Sequence, residues 1–349
     1  MTWVHIVGGG MSGLSLAAEL ASYGNLPGKV IVSEPQTIFS KNQTFSYWQS
    51  NKAENFDFPT RKYSNWVFSF GDEVITHSGK EWSYHSISSQ AFFERCIEKI
   101  SLNDQCEIHK EFIYERPKAV HIFDSRPLSI SDFRVYQTFY GVEFNFGDKH
   151  QLNTNTAYLM TEMQTKGINF YFNYLLPLDQ HSLLIEATAF STAPVNFNTL
   201  SNEVYSWIRR KQISGTVVKI EKGIIPMGIR RKPNDTFGTP IGTRGEMGRN
   251  SSGYTFFNVQ KWVQAAAKKL IYENRALPYS RGVLEVESDN IFLKIIEKNP
   301  SILPEIFTMI ARKIQPDHFA EFMTAVNLKN LAQIIRCAPK KPFLTAAFF

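Results

Sequence analysis

The sequence predicts an α/β protein with a parallel-sheet lobe, an antiparallel β-sheet lobe and a C-terminal helical cap. Three observations support this prediction. The first 35 residues follow the order strand, glycine turn, helix, strand, which is a βαβ unit. Residues 133–190 alternate apolar and polar positions between short turns, which indicates antiparallel strands. From about residue 288, helical periodicity is interrupted by prolines, which indicates short helices.

The N-terminal elements are predicted from short local patterns. Thr2–Val7 is an apolar run rich in β-forming residues, and it stops at three glycines. Residues 11–20 place small and apolar side chains at helical spacing, and Lys29–Ser33 is a second apolar strand. Residues 36–86 are aromatic and predicted to be rich in loops.

Elements further along the chain are predicted in the same way. Residues 89–100 have the pattern of an amphipathic helix. Further strands are predicted at 106–110, 119–123 and 223–229, and further helices at 202–211 and 256–272.

Composition limits the classes of function. The chain has 349 residues, 43% hydrophobic and 20% charged, which is enough to bury a large core without disulfides or metals. The 38 Lys and Arg residues only slightly exceed the 32 Asp and Glu residues, which fits an anionic cofactor or an acidic membrane surface but not nucleic acid. Three cysteines without a C-x-x-C pair predict a reducing compartment and no structural metal. Because no apolar run reaches about 18 residues, no membrane-spanning helix is predicted.

The glycine turn has the spacing of a dinucleotide-binding fingerprint. Gly8 permits the tight turn, Gly10 lets the backbone approach a pyrophosphate, and Gly13 lets the helix pack against the strand. The helix begins at Met11 and Ser12, and its free N–H groups and positive dipole end then face the phosphates.

An acidic residue follows the second strand at the expected distance. Glu34 lies 21 residues after Gly13, where a carboxylate accepts the ribose hydroxyls. An acid at this place favours FAD or NAD over NADP, because a 2′-phosphate would be repelled.

Several later segments point to one family. They are NQTFSYW at 42–48, DSR at 124–126, YQTFYG at 136–141, YLLPL at 174–178, LLIEAT at 183–188 and GTRGEMGRNSSGY at 242–254. In this order they resemble segments of the lycopene cyclases, which are FAD-dependent carotenoid cyclases of the glutathione-reductase-like flavoprotein class. The resemblance covers nearly the whole chain.

The resemblance implies a Rossmann-like FAD-binding domain and a non-redox reaction. Such an enzyme uses reduced FAD, with NAD(P)H as a reductant, to close the ψ-end of a linear carotenoid such as lycopene into a ring. We expect a discontinuous FAD-binding lobe at 1–39, 87–128 and 230–272, a β-sheet substrate lobe at 40–86 and 129–229, and a helical cap at 273–349.

The resemblance also identifies a candidate acid. Glu186 follows the apolar run 183–185, and the family's glutamate falls at this position. Ring closure of a polyene begins with protonation of a carbon–carbon double bond, which requires a carboxyl group in a dry pocket with a raised pKa. Glu143 is a second, weaker candidate. The 14% content of aromatic residues suits such a pocket.

Further residues are predicted to contact the cofactor or a membrane. The resemblance places Arg126, Gly242, Arg244, Ser252 and Gly253 beside FAD. A lipid-soluble polyene substrate implies peripheral contact with the cytoplasmic face of a membrane. The aromatic residues proposed for that contact are Phe343, Phe348 and Phe349.

Departures from the family pattern leave two alternatives open. One is a flavin-dependent monooxygenase or other redox flavoenzyme acting on an apolar polyene or prenyl substrate. Against it, the Gly-Asp pair expected at the second glycine passage (residues 242–254) is missing, because Gly242 is followed by Thr243, and the chain has no W-x-W-x-I-P segment. The other is a non-catalytic flavin- or lipid-binding relative. The departures are Gln43, Trp48, Pro127, Ala187, Thr243, Glu246, Arg249 and Asn250.

Overall fold

A computed structural model describes residues 1–36, 42–53, 56–231 and 233–348. The α-helices are α1 (Met11–Ala21), α2 (Ser89–Ser101), α3 (Phe197–Arg210), α4 (Phe256–Glu273), α5 (Val283–Lys298), α6 (Leu303–Lys313), α7 (Pro316–Thr324), α8 (Leu328–Cys337) and α9 (Lys340–Phe348). The strands are β1 (Thr2–Val7), β2 (Lys29–Ser33), β3 (Thr44–Ser50), β4 (Arg61–Tyr63), β5 (Asn65–Phe70), β6 (Glu73–Ser78), β7 (Trp82–Ser88), β8 (Cys106–His109), β9 (His121–Asp124), β10 (Phe133–Phe146), β11 (Thr156–Lys166), β12 (Asn169–Pro177), β13 (Ser182–Ser191), β14 (Gly215–Ile229) and β15 (Thr239–Pro240).

A parallel five-stranded sheet has the order β15-β9-β1-β2-β8. The predicted βαβ unit is confirmed, because α1 connects the parallel neighbours β1 and β2. The helices α1, α2 and α4 share an apolar core with this sheet. The carboxyl ends of β1, β2, β9 and β15 meet at one edge, which is where open α/β sheets bind their ligands.

A seven-stranded sheet has the order β14-β10-β13-β12-β11-β5-β6. Its described pairings are antiparallel except for the parallel pair β5 and β11. On β13, Leu183 and Ile185 share a core with α3, whereas Leu184 and Phe190 share a core with the C-terminal helices. Because side chains alternate along a strand, Glu186 also lies on the face toward the C-terminal helices.

The prediction that residues 36–86 are rich in loops is wrong. The described part of this segment contains strands β3 to β7, and β3, β7 and β4 form a separate three-stranded sheet. Three aromatic residues of the segment, Trp48, Tyr63 and Trp66, are fully buried. Strands β3, β5 and β7 have runs of consecutive buried residues, so they do not show the alternation of a half-exposed strand by which strands are recognised in a sequence.

Some predicted boundaries also differ from the structure. Helix α3 begins at Phe197, where the side chain of Asn196 accepts a hydrogen bond from the N–H of Asn198 and caps the helix. Strand β14 begins at Gly215 instead of residue 223, and helix α5 begins at Val283 instead of residue 288.

The sheets can be compared with the predicted lobes. All strands of the five-stranded sheet fall in the ranges predicted for the FAD-binding lobe, and those of the seven-stranded sheet fall in the ranges of the substrate lobe. The boundary between residues 39 and 40 lies outside the described residues. Within the described ranges, no helix combines the length and apolarity needed to cross a membrane.

Candidate active site

The glycine turn after β1 is shaped by three glycines. Gly8 has a φ of +106°, and a Cβ there would lie 3.0 Å from the carbonyl oxygen of Ser125. A Cβ on Gly13 would lie 2.1 Å from the carbonyl oxygen of Gly8, so α1 packs against the turn only because Gly13 has no side chain. Among the described residues, a Cβ on Gly10 would meet nothing within 4 Å, and no side-chain hydrogen bond caps α1. No described side chain therefore covers the first N–H groups of α1, as a pyrophosphate site requires.

Glu34 lies beside this turn. Its Oε2 accepts a 2.8 Å hydrogen bond from the N–H of Gly9, and its Oε1 accepts one of 2.9 Å from the N–H of Gln36. The carboxylate therefore orders the turn, and it remains half-buried at the edge of the parallel sheet. This is the place predicted for a ribose-binding acid.

The second glycine passage closes on the first at Gly242. Its φ is +63°, and a Cβ there would lie 3.0 Å from Oγ of Ser12 and 3.2 Å from Oγ of Ser125. Thus Gly242, Ser12 and the glycine turn converge at the carboxyl edge of the parallel sheet. The structure brings together these predicted residues from segments more than 100 residues apart in the sequence.

Arg126 and Arg244 are held by acidic residues. Asp124 is fully buried and accepts hydrogen bonds from Nε of Arg126 at 3.0 Å and Nη2 at 2.8 Å. Burial acts to raise the pKa of Asp124, but hydrogen bonds from Arg126 and from the N–H of Phe237 outweigh it and lower the pKa. Nη1 of Arg244 donates to Asp235 at 3.1 Å. These arginines join β9 to the second glycine passage, and their contact with the cofactor stays a prediction.

A small cavity lies between the second glycine passage and strand β14. Its lining includes Asn250 and Gly253 on one side and Ile225 on the other. A Cβ on Gly253 would lie 2.9 Å from Cγ2 of Ile225, so the glycine allows the passage to approach the sheet. The buried Oγ of Ser252 has no hydrogen-bond partner within the described residues. The residue next to the cavity-lining Gly253 therefore carries a polar atom that a bound ligand or water would satisfy.

Arg249 replaces a histidine of the family pattern, and the structure shows what it does. The side chain is 1% exposed, and its Nε donates to Asp289 on α5 at 3.0 Å. Asp289 also accepts from Nη2 of Arg281 at 2.5 Å and from the N–H of Asn250 at 3.0 Å. The guanidinium of Arg249 lies 4.8 Å from the ring centroid of Phe322 on α7. This buried ionic network holds the glycine passage against the C-terminal helices.

Glu186 is a buried acid on β13. It is 8% exposed and stands opposite Tyr174 of β12 and Gly141 of β10. The hydroxyl of Thr188 donates a 2.5 Å hydrogen bond to its Oε1. Burial, together with the nearby carboxyl group of Glu221, raises the pKa of Glu186 to about 8, and the bond from Thr188 only partly opposes this.

Glu221 is a second buried acid, which the sequence analysis missed. Glu221 lies on β14, is 4% exposed and stands opposite Gly141 of β10. Its carboxyl group accepts a 2.9 Å hydrogen bond from the hydroxyl of Thr44. Burial raises the pKa of Glu221 to about 7, although Lys219 and Thr44 oppose the shift. The predicted strand began only at residue 223, so no pattern placed Glu221 in the sheet.

Gly141 leaves room for the two acids. A Cβ on this residue would lie 3.2 Å from Cγ of Glu221 and 3.4 Å from Cβ of Glu186. Directly opposite residues on neighbouring strands share a face, so the two carboxyl side chains lie on the same face on either side of the glycine. Glu143, the second predicted candidate, is half-buried and lies on β10 opposite Leu184, two residues beyond Gly141.

Three tyrosines connect the second glycine passage to Glu186. The hydroxyl of Tyr254 donates to that of Tyr84 at 3.1 Å, and the hydroxyls of Tyr84 and Tyr174 lie 3.0 Å apart. Ser46 Oγ lies 3.0 Å from the hydroxyl of Tyr174. Burial raises the pKa of each tyrosine well above its ordinary value, so these hydroxyls stay protonated.

The segment 42–48, identified above by resemblance, supports both groups. Strand β3 crosses the sheet face and supplies Thr44 to Glu221 and Ser46 to Tyr174. Gln43, which replaces a family histidine, donates to the carbonyl oxygen of Lys222 at 3.3 Å. The segment therefore holds Glu221 and Tyr174 in place.

Replacing Tyr84 by Phe is expected to lower the free energy of unfolding by about 1–3 kcal/mol, because the buried hydroxyl of Tyr254 loses its acceptor. Urea unfolding followed by circular dichroism measures the change. Tyr114→Phe is the matched control, since Tyr114 is 81% exposed and its loss is expected to cost less than about 0.5 kcal/mol. Equal urea midpoints for the two variants would contradict the proposed hydroxyl chain.

Solved flavoproteins share this fold at low sequence identity. A flavoprotein/dehydrogenase from Cytophaga hutchinsonii has a TM-score of 0.54 at 12% identity, with 96% of this chain and 99% of that chain covered. A p-nitrophenol 4-monooxygenase from Pseudomonas putida has a TM-score of 0.52 at 10% identity, with 99% and 97% covered. A tryptophan 6-halogenase from Streptomyces toxytricini has a TM-score of 0.51 at 10% identity, with 99% and 90% covered. These similarities confirm the predicted flavoprotein fold.

Sequence comparison identifies the family. A search of curated proteins found no match to this chain. The profile described as lycopene cyclase protein matches residues 4–283, which include the glycine turn, both buried acids and the second glycine passage. The match extends over most of the chain and confirms the resemblance drawn from the separate segments. The chain therefore belongs to the lycopene cyclase family.

Proposed function

We propose that the protein is an FAD-dependent cyclase that closes the ψ-end of a linear carotenoid such as lycopene without net oxidation. The observation that carries the proposal is the buried carboxyl group of Glu186, raised in pKa to about 8. It lies on the sheet face that also carries Ile225, a wall of the cavity beside the second glycine passage. Membership of the lycopene cyclase family supports the reaction type.

FAD is the proposed cofactor, and the chain has residues suited to each of its parts. The N-terminus of α1 beside Gly10 suits the pyrophosphate, and Glu34 suits the ribose. The cavity lined by Asn250 and Gly253 is the proposed place for part of the flavin ring. Reduced FAD, formed with NAD(P)H as electron donor, would supply an electron-rich ring that stabilises positive charge.

The proposed reaction begins with proton transfer from Glu186. The carboxyl O–H bond breaks as a C–H bond forms at the terminal double bond of the polyene, which leaves a carbocation. The next double bond attacks this cation, and the new C–C bond closes the ring. A neighbouring carbon then loses a proton to a carboxylate, so the product is an isomer of the substrate.

Two phenylalanines lie on the sheet face that carries Glu186. Phe139 and Phe172 stand on either side of Thr188 on the same sheet face as Glu186. Their ring faces can stabilise positive charge in a site that excludes water. Tyr174 and Tyr254 keep part of their surface accessible, so side chains do not fill all the space near Glu186.

A carotenoid is lipid-soluble, and we propose that the protein meets it through peripheral contact with a membrane surface. Phe343, one of the aromatic residues predicted for this contact, packs partly against the core under the C-terminal helices. The side chains of Phe348 and Phe349 lie outside the described residues. The neighbouring Leu344 is 55% exposed and is a candidate for the contact.

An anaerobic assay tests the proposed function. Purified protein, FAD and dithionite or NADPH are mixed with lycopene in anionic vesicles, and the products are separated by chromatography. We expect a monocyclic or bicyclic carotene with reduced FAD and none with oxidised FAD. Flotation of the same vesicles is expected to carry the protein with them.

Two other outcomes would contradict the cyclase proposal. Bound flavin with NADPH-dependent oxygen consumption and an oxygenated product would indicate a redox flavoenzyme. Bound flavin with neither cyclisation nor oxygen consumption would indicate a different substrate or a non-catalytic flavin-binding protein.

A further inference from the structure

We propose that Glu186 and Glu221 form one electrostatically coupled pair across Gly141, in which Glu221 is a positioning residue that keeps the proton on Glu186. The inference rests on the proposed function for its role in ring closure. The pairing itself can be tested without substrate.

The pairing follows from strand register. Glu186 on β13 and Glu221 on β14 are each directly opposite Gly141 on the strand between them. Any larger residue at this position would separate the two carboxyl side chains, since a Cβ would already contact both. The glycine therefore allows side chains from β13 and β14, which are not hydrogen-bonded to each other, to occupy one site.

The polar partners of the pair are few. Thr188 donates one hydroxyl hydrogen bond to Glu186, and Thr44 donates one to Glu221. Among the described ion pairs of these two acids, the one cation is Lys219, whose Nζ lies 3.9 Å from Oε2 of Glu221. Two buried carboxylates with one distant cation are poorly compensated, so the pair retains a proton.

The position of Lys219 decides where that proton lies. Its positive charge favours the ionised form of Glu221, whereas Glu186 has no described ion pair. Glu143, on β10, adds negative charge near Glu221. Tyr174 from β12 and Tyr254 from the segment before α4 also face Glu186, and both remain protonated. The proton is therefore held on Glu186, and the negative charge is held on Glu221.

This division of roles suits an acid-initiated cyclisation. Glu186 gives its proton to the double bond, and the pair then carries two negative charges beside the carbocation. When the ring loses a proton, that proton returns to the pair, and the starting protonation state is restored. No oxidant or reductant is consumed.

Infrared titration of the substrate-free protein tests the pair. The C=O band of a protonated buried carboxyl group is followed against pH in wild type, Glu221→Gln and Glu186→Gln. We expect the band to titrate on the alkaline side in wild type, whereas Glu186→Gln should keep only the weaker band of Glu221, with a midpoint below that of wild type. In Glu221→Gln its midpoint is expected to move about one pH unit or more toward acid, because the neighbouring negative charge is gone.

The pH profile of ring closure gives a second readout. The alkaline limb of kcat is expected to move toward acid in Glu221→Gln, with activity retained at lower pH, and Glu221→Asp is expected to restore it. A merely structural role would lower kcat without moving the profile, and this result would overturn the inference. Glu107→Gln, on the far parallel sheet, is the matched control and should leave both readouts unchanged.

Lys219→Met covers the case in which Glu221→Gln fails to fold. Removing the cation should move the infrared midpoint toward alkali, opposite to the effect of Glu221→Gln. Unmoved midpoints in the variants that fold would overturn the inference. Coupled titration without any cyclic product would overturn the proposed function but support the pair. Cyclic product without coupled titration would support the proposed function but overturn the pair.

Discussion

Replacing Glu186 by Gln is expected to lower the rate of ring closure by about 10²–10⁴-fold, the usual contribution of a general acid. Glutamine keeps the size of the side chain and an oxygen for the hydroxyl of Thr188, but it has no acidic proton to transfer. Flavin binding should be unchanged, because the glycine turns that suit FAD lie elsewhere. Single-turnover formation of cyclic carotene, with flavin fluorescence as the binding control, measures both.

The control for this variant is Glu143→Gln. Glu143 is half-buried and lies on the same sheet face as Glu186, but it stands opposite Leu184. Its replacement should retain most of the activity. Wild-type rates in Glu186→Gln, or equal losses in the two variants, would show that Glu186 is not the acid.

The raised pKa of Glu186 also determines the direction in which stability and activity change with pH. Its folded-state pKa is about 8, against an ordinary value of 4.5, so the folded protein holds a proton that the unfolded chain releases between these values. The contribution of this group to stability is fully present below pH 4.5 and is lost as pH rises toward 8. Activity should fall over the alkaline part of the same range. In Glu186→Gln the decline in unfolding free energy over this range should be shallower, as urea titrations at several pH values would show.

The parts of the fold that were predictable depend on neighbours in sequence. The βαβ unit and the turn from Gly8 to Gly13 are local, because the strand, the turn and the helix follow one another directly. Glu186 was also accessible, since an apolar run precedes it and the family pattern carries a glutamate there. In these cases one short segment contains all the information.

The parts that were missed depend on pairing between distant segments. Glu221 and Glu186 lie on one face because each stands opposite Gly141 on the strand between β13 and β14, and this register cannot be deduced from any one strand. Arg249 appears in the sequence as a departure from the family, but its partner Asp289 lies 40 residues further on. No spacing rule connects two such residues before the helices pack.

Replacing Gly13 by Ala is expected to destabilise the protein and to abolish flavin binding. The new Cβ would lie 2.1 Å from the carbonyl oxygen of Gly8 and 3.1 Å from Cγ2 of Ile6, so the backbone of the turn must move. Overpacking of this kind costs about 1–3 kcal/mol or more. Urea unfolding of the FAD-free protein measures the loss of stability, and fluorescence titration with FAD measures the loss of binding.

Gly10→Ala separates binding from packing. Within the described part of the chain, a Cβ on Gly10 meets nothing within 4 Å, and the φ of −75° suits alanine, so the free energy of unfolding should change by less than about 0.5 kcal/mol. FAD affinity should nevertheless fall, because the methyl group enters the space where the pyrophosphate approaches the backbone. Gly147→Ala, equally unobstructed but in the other sheet lobe, should change neither quantity. If Gly10→Ala binds FAD as tightly as wild type, the phosphates do not lie at this turn, and the glycines there serve only the packing of α1.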